Sequence, residues 1–444
     1  MTPVARIAGT VWLKRNWQLR ENPFPTSGIA VWGGKDPREN GMLYDDAVNA
    51  EKLAEATEKF VLGAAFSGLR FGYLWSMGLT DNDPDARGFG KSALMQHLAW
   101  SLNQDFGQRA YLSCGLDESD AAEVPICGLL TSFDTNQIRS LAAALFTAVE
   151  YAVDFTTRDD EPTLAVRLRR RLVARAGGDD PLDLGRLVAD EYRKLRGRTL
   201  GPPEDKLIVA LCDPDPTVAV DYLDQIKSAT RIKNGANYLA TFLLFAAAAG
   251  MERVLLCCDQ LEDLASPQVT TKAKRGLETE RFRDVVLETL PMADMLAVIL
   301  TMHPRAALTL SLPWQLADLP SFEVSTANKH RVVTLESLRT VDEARRLLAT
   351  YLDAARKDGQ PRGPGDLSPM NADATEALFA RSNRRPRDIL RKAHGLFEYA
   401  ASENIGEITA DTVVQALDAL APESDDDYVP VDVGPAGSLE WENG

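Results

Sequence analysis

The chain has 444 residues, too many for one compact core and suited to two or three domains. Its 45% hydrophobic and 26% charged side chains are ordinary for a globular protein, which sets aside collagen-like, coiled-coil and wholly disordered classes. The formal net charge of −16 excludes a non-specific nucleic-acid coat, so any DNA contact has to come from a local basic patch.

Residues 1–44 carry many turn formers (Asn22-Pro23, Pro25, Gly33-Gly34, Pro37, Gly41) and are predicted to be an irregular N-terminal segment. Arg6, Lys14 and Arg15 precede no apolar signal core, so no export is expected and the location is read as cytoplasmic. From Asp45 to Leu69 apolar residues recur at three- and four-residue steps, which predicts a helix. Arg70–Met77 is aromatic and apolar and predicts a strand. A loop rich in Asp, Asn, Pro and Gly follows, and then a helix from about Lys91 to Gln104. Arg109–Cys114 reads as the second strand.

A long, mostly helical stretch then runs to Gly250; it holds the basic segment Arg167–Arg175 and the apolar run Tyr238–Gly250. That run falls short of the roughly 18 residues a bilayer span needs, and reads as a buried helix. Arg253–Cys258, Met295–Met302 and Arg331–Leu335 are predicted strands. After Leu335 the pattern is helical again, opening with Thr340 as a cap before an acidic first turn. The last stretch, 422–444, is acidic with few core residues and is expected to be disordered. Strands separated by helices predict an α/β fold with a parallel sheet. The domain reading is 1–44 as N-terminal segment, 45–335 as core with a helical insertion at 117–240, 336–421 as a helical lid, and 422–444 as tail.

Five cysteines and four histidines show no metal-ligand spacing, and the thiols read as buried and reduced. The chemistry lies elsewhere. Gly88-Phe89-Gly90-Lys91-Ser92 between a strand and a helix has the composition of a phosphate-binding loop. Glycines let backbone N–H groups face one concavity, and the helix N-terminus favours an anion. Lys91 would pair with the β- and γ-phosphates of ATP, and Ser92 would hold Mg²⁺. The pattern asks for glycine at position 85, where this chain has Asp85; the nearest upstream glycine is Gly78.

Such a site needs an acidic residue at the end of a neighbouring strand. Asp259 fits, and is expected to be the second metal residue. Glu262 is the first choice for activating water, with Gln260 as the alternative. Thr301 ends the next strand where a polar reader of the γ-phosphate is expected, and Arg305 is a candidate arginine finger. In Ser382–Leu396, Pro386 suits a helix first turn and Arg387 would project from it toward the γ-phosphate. Arg384, Arg385, Arg391 and Lys392 make the same stretch the candidate DNA or partner contact.

The order of these parts resembles AAA+ P-loop ATPases of the origin-recognition and ExeA-like group, with features of STAND NTPases. The resemblance covers roughly residues 17–120 and 250–420. Asn22-Pro23-Phe24 is similar to a segment that lies near the nucleotide base in ExeA-like proteins. Asp259-Gln260-Leu261-Glu262-Asp263 looks like the acidic motif of some STAND proteins, and Asn383–Leu390 resembles the sensor 2 motif with Arg387 in the matching place. The resemblance implies a nucleotide site at Asn22, Pro23, Phe24, Gly88 to Ala93 and Arg387, with ATP and Mg²⁺ as cofactors. It implies a molecular switch that hydrolyses ATP and assembles as a homo-oligomer or with a protein or DNA partner, in phage defence, transposition or replication. The alternative is a scaffolding protein with a degenerate ATP site, favoured by Asp85 and Gln260.

Overall fold

The structure is a computed structural model that describes residues 9–28, 30–31, 34–44, 46–76, 88–133, 141–156, 160–195, 202–260, 279, 283, 294–301 and 304–420; for 46–49, 121–122 and 304–309 only the backbone is described. Among these residues five strands form one sheet: β1 (Phe71–Ser76), β2 (Ile126–Ser132), β3 (Arg253–Asp259), β4 (Leu296–Thr301) and β5 (Val332–Leu335). Their order is β2-β3-β4-β1-β5, and every neighbouring pair is parallel. Both faces are covered, so the strands are apolar throughout rather than alternating with polar residues. Successive residues still part to opposite faces: Phe71, Tyr73 and Trp75 join one core, and Leu74 joins the other.

The helices that matter for the site and its surroundings are α1 (Asp46–Ala56), α2 (Lys91–Asp105), α3 (Gln108–Ser113), α4 (Leu141–Asp154), α5 (Leu164–Ala176), α6 (Pro181–Leu195), α7 (Asp205–Cys212), α8 (Thr217–Asp224), α9 (Ser228–Ala248), α10 (Pro304–Leu316), α11 (Val341–Ala355), α12 (Ala372–Arg381), α13 (Pro386–Ser402) and α14 (Ala410–Ala419). The apolar run Tyr238–Gly250 is buried along α9, and no described helix is long and apolar enough to cross a membrane. α9 crosses α4 at Gly235, where a Cβ would sit 1.6 Å from the Ala142 carbonyl oxygen. Only glycine permits that approach.

Two expectations are corrected. Arg109–Cys114 is not a strand; it lies in α3, which starts after Gly107 in a left-handed conformation at φ +87°. Tyr111 is buried there with its hydroxyl on the Val124 carbonyl at 2.7 Å, while the adjacent Leu112 is exposed. The second strand is instead Ile126–Ser132, inside the stretch 117–240 read as a helical insertion. It pairs with β3 along its full length. A short apolar run does not by itself separate helix from strand, and here the longer run with buried neighbours on both faces forms the strand.

The N-terminal segment is also more ordered than its turn formers imply. Leu13–Trp17 forms a π-helical turn, and Leu13, Trp17, Leu19 and Phe24 share a core with α11 to α14. The Trp17 indole N–H donates to the Gly406 carbonyl at 2.9 Å, and its ring meets Phe397 edge-on. Backbone bonds from Arg20 N to Ala355 O and from Lys357 N to Gln18 O, both 2.8 Å, stitch the segment to the end of α11. The expected caps hold: Thr340 accepts from Glu343 N at the start of α11, and Pro386 opens α13.

Candidate functional site

In a parallel sheet all strands end on one edge, and here the apolar strands end in polar residues: Ser76 on β1, Ser132 on β2, Asp259 on β3 and Thr301 on β4. Open sheets bind ligands outside that edge, where the strand order reverses. β1 is such a place, because the chain leaves it for the far edge and returns to its other side as β5.

Gly88 and Gly90 line this edge in left-handed conformations, at φ +82° and +89°. Gly90 is the N-cap of α2, with no side-chain cap and no acid in the first turn. By contrast α5, α11, α12 and α14 are capped by Thr163, Thr340, Asn371 and Thr409. Gly90 has no side chain with which to cap the first turn of α2, and the positive end of the helix dipole lies at the loop. That is the arrangement an anion such as phosphate needs.

Below the loop the side chains converge. The Lys91 ammonium donates to Ser76 Oγ at 2.8 Å. The Ser92 hydroxyl donates to Asp259 Oδ2. Asp259 is buried at the end of β3, and its Oδ1 accepts from Thr301 Oγ1 at 2.7 Å and from Gln260 N at 3.0 Å. Gln260 N also donates to Thr301 Oγ1 at 3.0 Å. So Ser92, Asp259 and Thr301, expected from the sequence to act together, meet in one network. The adjacent thiols are not part of its chemistry: burial pushes Cys257 and Cys258 far above the ordinary thiol range, and the Asp259 charge adds to it. The Ser92 and Asp259 oxygens are hard donors, a set that suits Mg²⁺ rather than a soft ion.

Gln260 has a left-handed backbone, φ +56°, and its Oε1 accepts from Ser132 Oγ at 3.3 Å. Its side chain is thus drawn toward β2. Glu262, Asp85 and Gly78 lie outside the described residues, as does the 422–444 tail. Arg305 is the second residue of α10, and its side chain lies outside the described atoms.

The C-terminal helices reach the loop through the start of α13. Arg387 N donates to the Gly88 carbonyl at 3.2 Å, and its Nε donates to the Ser27 carbonyl at 3.4 Å. A Cβ on Gly88 would lie 2.9 Å from Arg387 Cβ, so this glycine lets α13 close onto the loop. Arg385 also belongs here: its guanidinium lies over the Phe89 ring, 5.3 Å from the centroid. Sequence reasoning placed Arg385 on a DNA-contacting face. The aromatic residue inside the Gly-Phe-Gly-Lys-Ser run was the signal that could have brought it to the loop.

In Asn22-Pro23-Phe24 the side chains of Asn22 and Phe24 are engaged by the C-terminal helices. Asn22 Nδ2 donates to the His394 carbonyl at 3.1 Å and to Glu398 Oε1 at 2.9 Å, and its Oδ1 accepts from Phe24 N. Phe24 is fully buried against Tyr351 and Phe397. The triplet clasps α13 and offers no free aromatic face. The part of the N-terminal segment that does reach the loop is Gly41–Tyr44. Gly41 crosses α2 so closely that a Cβ would sit 2.8 Å from the Ala93 carbonyl, and Tyr44 Cε2 lies 3.9 Å from the Cβ position of Gly90. No local pattern in the sequence marks these residues.

Several of the other basic residues have intramolecular partners. Arg384 lies over Phe379, and Lys392 and Arg391 pair with Asp388 at 2.8 and 3.6 Å. In α5, Arg169 donates to the Cys212 carbonyl at 3.0 Å, Arg171 to Ala249 at 3.3 Å and Arg175 to Ala248 at 2.7 Å. Among the described residues no group of three or more His, Cys, Asp or Glu side chains is placed to hold a metal. No protein-family model matches the chain, and no curated protein matches it.

Proposed function

We propose that the chain is a P-loop nucleotide-binding protein of the AAA+ kind that binds ATP with Mg²⁺ at Gly88 to Ala93 and uses the bound nucleotide to set the position of its C-terminal helical lid. One observation carries the reading: the Ser92–Asp259–Thr301 network lies at the carboxyl edge of the sheet, beneath a glycine loop that opens an uncapped helix.

In this reading the N–H groups of the loop and of the first turn of α2 hold phosphate oxygens, and Lys91 exchanges Ser76 for the β- and γ-phosphates. Ser92 and Asp259 supply oxygens to Mg²⁺, which when bound neutralises phosphate charge. Thr301 and Arg387 report the γ-phosphate, one from the sheet and one from the lid. Glu262 activates the attacking water, with Gln260 in an orienting role as the alternative. Arg305 serves the nucleotide of a neighbouring copy. ATP hydrolysis would then drive assembly with further copies, or remodelling of a protein or DNA partner.

A second reading is a scaffold that binds nucleotide with little turnover. Gln260 follows Asp259 directly and its amide is engaged by Ser132, which favours this alternative. One experiment separates the readings: ATP affinity and turnover for wild type and Lys91→Ala, with and without double-stranded DNA. A charge-assisted bond is worth ~1.5–3 kcal/mol, so Lys91→Ala is expected to weaken ATP binding by roughly 10- to 100-fold. Equal affinity in that variant removes the phosphate site from consideration. Tight binding with no turnover, and no effect of Glu262→Gln, selects the scaffold.

A further inference from the structure

We propose that the N-terminal segment is a strap carried by the C-terminal helices, and that Asn40 and Gln96 form a latch where it crosses α2, unpaired in the position seen here and paired when the loop is loaded. The inference rests on the phosphate reading above and adds to it a conformational device. The segment belongs with the C-terminal helices up to a sharp border. Leu13, Trp17, Leu19 and Phe24 sit in their core, and Leu43 packs against it. The next residue, Tyr44, packs against the core of the sheet and α2 instead. Between these ends the segment is tied to itself. Arg38 donates to the Asn22 carbonyl at 2.6 Å, Ser27 Oγ to Glu39 Oε1 at 3.4 Å, and Val31 N to the Glu39 carbonyl at 2.6 Å. The Tyr351 hydroxyl of α11 donates to the Arg38 carbonyl at 3.3 Å. Gly28, at φ +60°, comes so close to the start of α13 that a Cβ would sit 2.7 Å from the Arg387 carbonyl oxygen. Arg387 is the residue whose N–H reaches Gly88. A displacement of α13 on the loop is therefore passed to the strap by direct contacts.

Asn40 and Gly41 are where the strap rides on the core. A Cβ on Gly41 would lie 2.9 Å from Gln96 Cβ, which brings Gln96 to the same contact as the neighbouring Asn40. Asn40 is 2% exposed and Gln96 1%. Asn40 Oδ1 accepts from Met42 N at 3.1 Å. Among the described residues, however, Asn40 Nδ2 and both amide atoms of Gln96 are buried with no hydrogen-bond partner. A buried polar group left unpaired costs more than a made bond gains, so three such atoms at one contact mark a position that a small movement relieves. The atoms are complementary: Asn40 offers a donor and Gln96 an acceptor. A short slide of the strap along α2 pairs them. The position seen here goes with the unloaded loop, because Lys91 donates to Ser76, the partner it gives up on loading. Loading shifts α13, the strap follows through Ser27 and Gly28, and the latch closes.

A latch of this kind gives effects of opposite sign, which a purely structural pair does not. Gln96→Met keeps the length of the side chain and removes its amide. Without nucleotide it is expected to raise the unfolding midpoint of the full chain by about 2 °C, because two unpaired atoms are gone. Its affinity for the fluorescent analogue mant-ATP with Mg²⁺ is expected to fall by about 5-fold, because the loaded position loses a bond. Asn40→Ala should show the same loss of affinity, and the double variant no further loss. Only the affinity of Asn40→Ala is diagnostic, since that change also takes the acceptor from Met42 N. Hydrogen exchange on the unmodified chain needs no substitution: Arg38–Tyr44 and Ala93–Trp100 should gain protection when Mg²⁺ and ATP are added. A Gln96→Met chain with a lower midpoint and wild-type affinity overturns the latch, as does exchange in both stretches that ignores the nucleotide. Losses in Gln96→Met and Asn40→Ala that simply add overturn the pairing as well. If wild type binds mant-ATP no better than Lys91→Ala does, the phosphate reading itself has failed and takes this inference with it. A normal Lys91→Ala loss beside an unaffected Gln96→Met sinks the latch alone.

Discussion

Two arginine-rich helices, α5 and α13, look alike in the sequence and do different work in the fold. Three arginines of α5 reach the ends of other helices. Arg169 bonds the last carbonyl of α7, and Arg171 and Arg175 bond the carbonyls that close α9. Those carbonyls are the ones a helix leaves without intrahelical partners, and they carry the negative end of the dipole. Arg171 also lies over the Phe106 ring at 4.9 Å, and burial together with the neighbouring Arg175 lowers its pKa below the usual guanidinium value. At the start of α13, Arg387 and Arg385 instead meet the glycine loop, through the Gly88 carbonyl and the Phe89 ring. A run of like charges thus says how many cations a helix carries, and the local acceptors decide whether they hold the fold or a ligand.

The contrast is broken most directly at Arg387. Its bond to Gly88 is made by the backbone N–H, which alanine keeps, so Arg387→Ala removes the guanidinium while keeping the docking of α13. ATP affinity is expected to fall by roughly 10- to 100-fold, the equivalent of one charge-assisted bond of ~1.5–3 kcal/mol, with the unfolding midpoint little changed. A large fall in the midpoint with ATP affinity retained would place Arg387 with the α5 group. The mirror experiment is Arg171→Met. It leaves the Ala249 carbonyl without that donor and removes the cation from Phe106, and should lower stability by about 1–3 kcal/mol in a denaturant titration. ATP affinity measured under native conditions should not move. If it does, α5 and the loop are coupled and the contrast between the two helices is false.

Four strands, the parallel sheet and the residues at the strand ends were legible in the sequence because a strand buried on both faces is a continuous apolar run, and a polar residue closing it is conspicuous. Asp259 and Thr301 were found this way, and Ser92 through the Gly-Lys-Ser run ahead of a helix. β2 was missed because Arg109–Cys114 offered a nearer run of similar length, and the difference lay in a left-handed Gly107 that turns the chain into α3. The burial of Phe24 was not legible: it comes from Tyr351 and Phe397, more than three hundred residues away, and no local pattern records such a partner. Arg385 was read as a candidate DNA or partner contact on its charge alone, and the ring it rests on belongs to the loop already singled out.

The smallest expected effect concerns DNA. Arg170 is an exposed arginine of the α5 run that bonds no helix-end carbonyl, and Arg384 is the exposed one at the start of α13. Reversing either to Glu touches no helix-end carbonyl named above, so each should shift the unfolding midpoint by less than about 2 °C. If double-stranded DNA binds this acidic chain, each phosphate contact adds close to one unit to the slope of log affinity against log salt. Arg384→Glu should then reduce that slope by about one, and Arg170→Glu should leave it where it was. The opposite result, a slope that responds to Arg170 and ignores Arg384, would make α5 the outward-facing basic helix despite its three inward arginines. A slope indifferent to both would leave the start of α13 to the glycine loop, which Arg385 and Arg387 already contact.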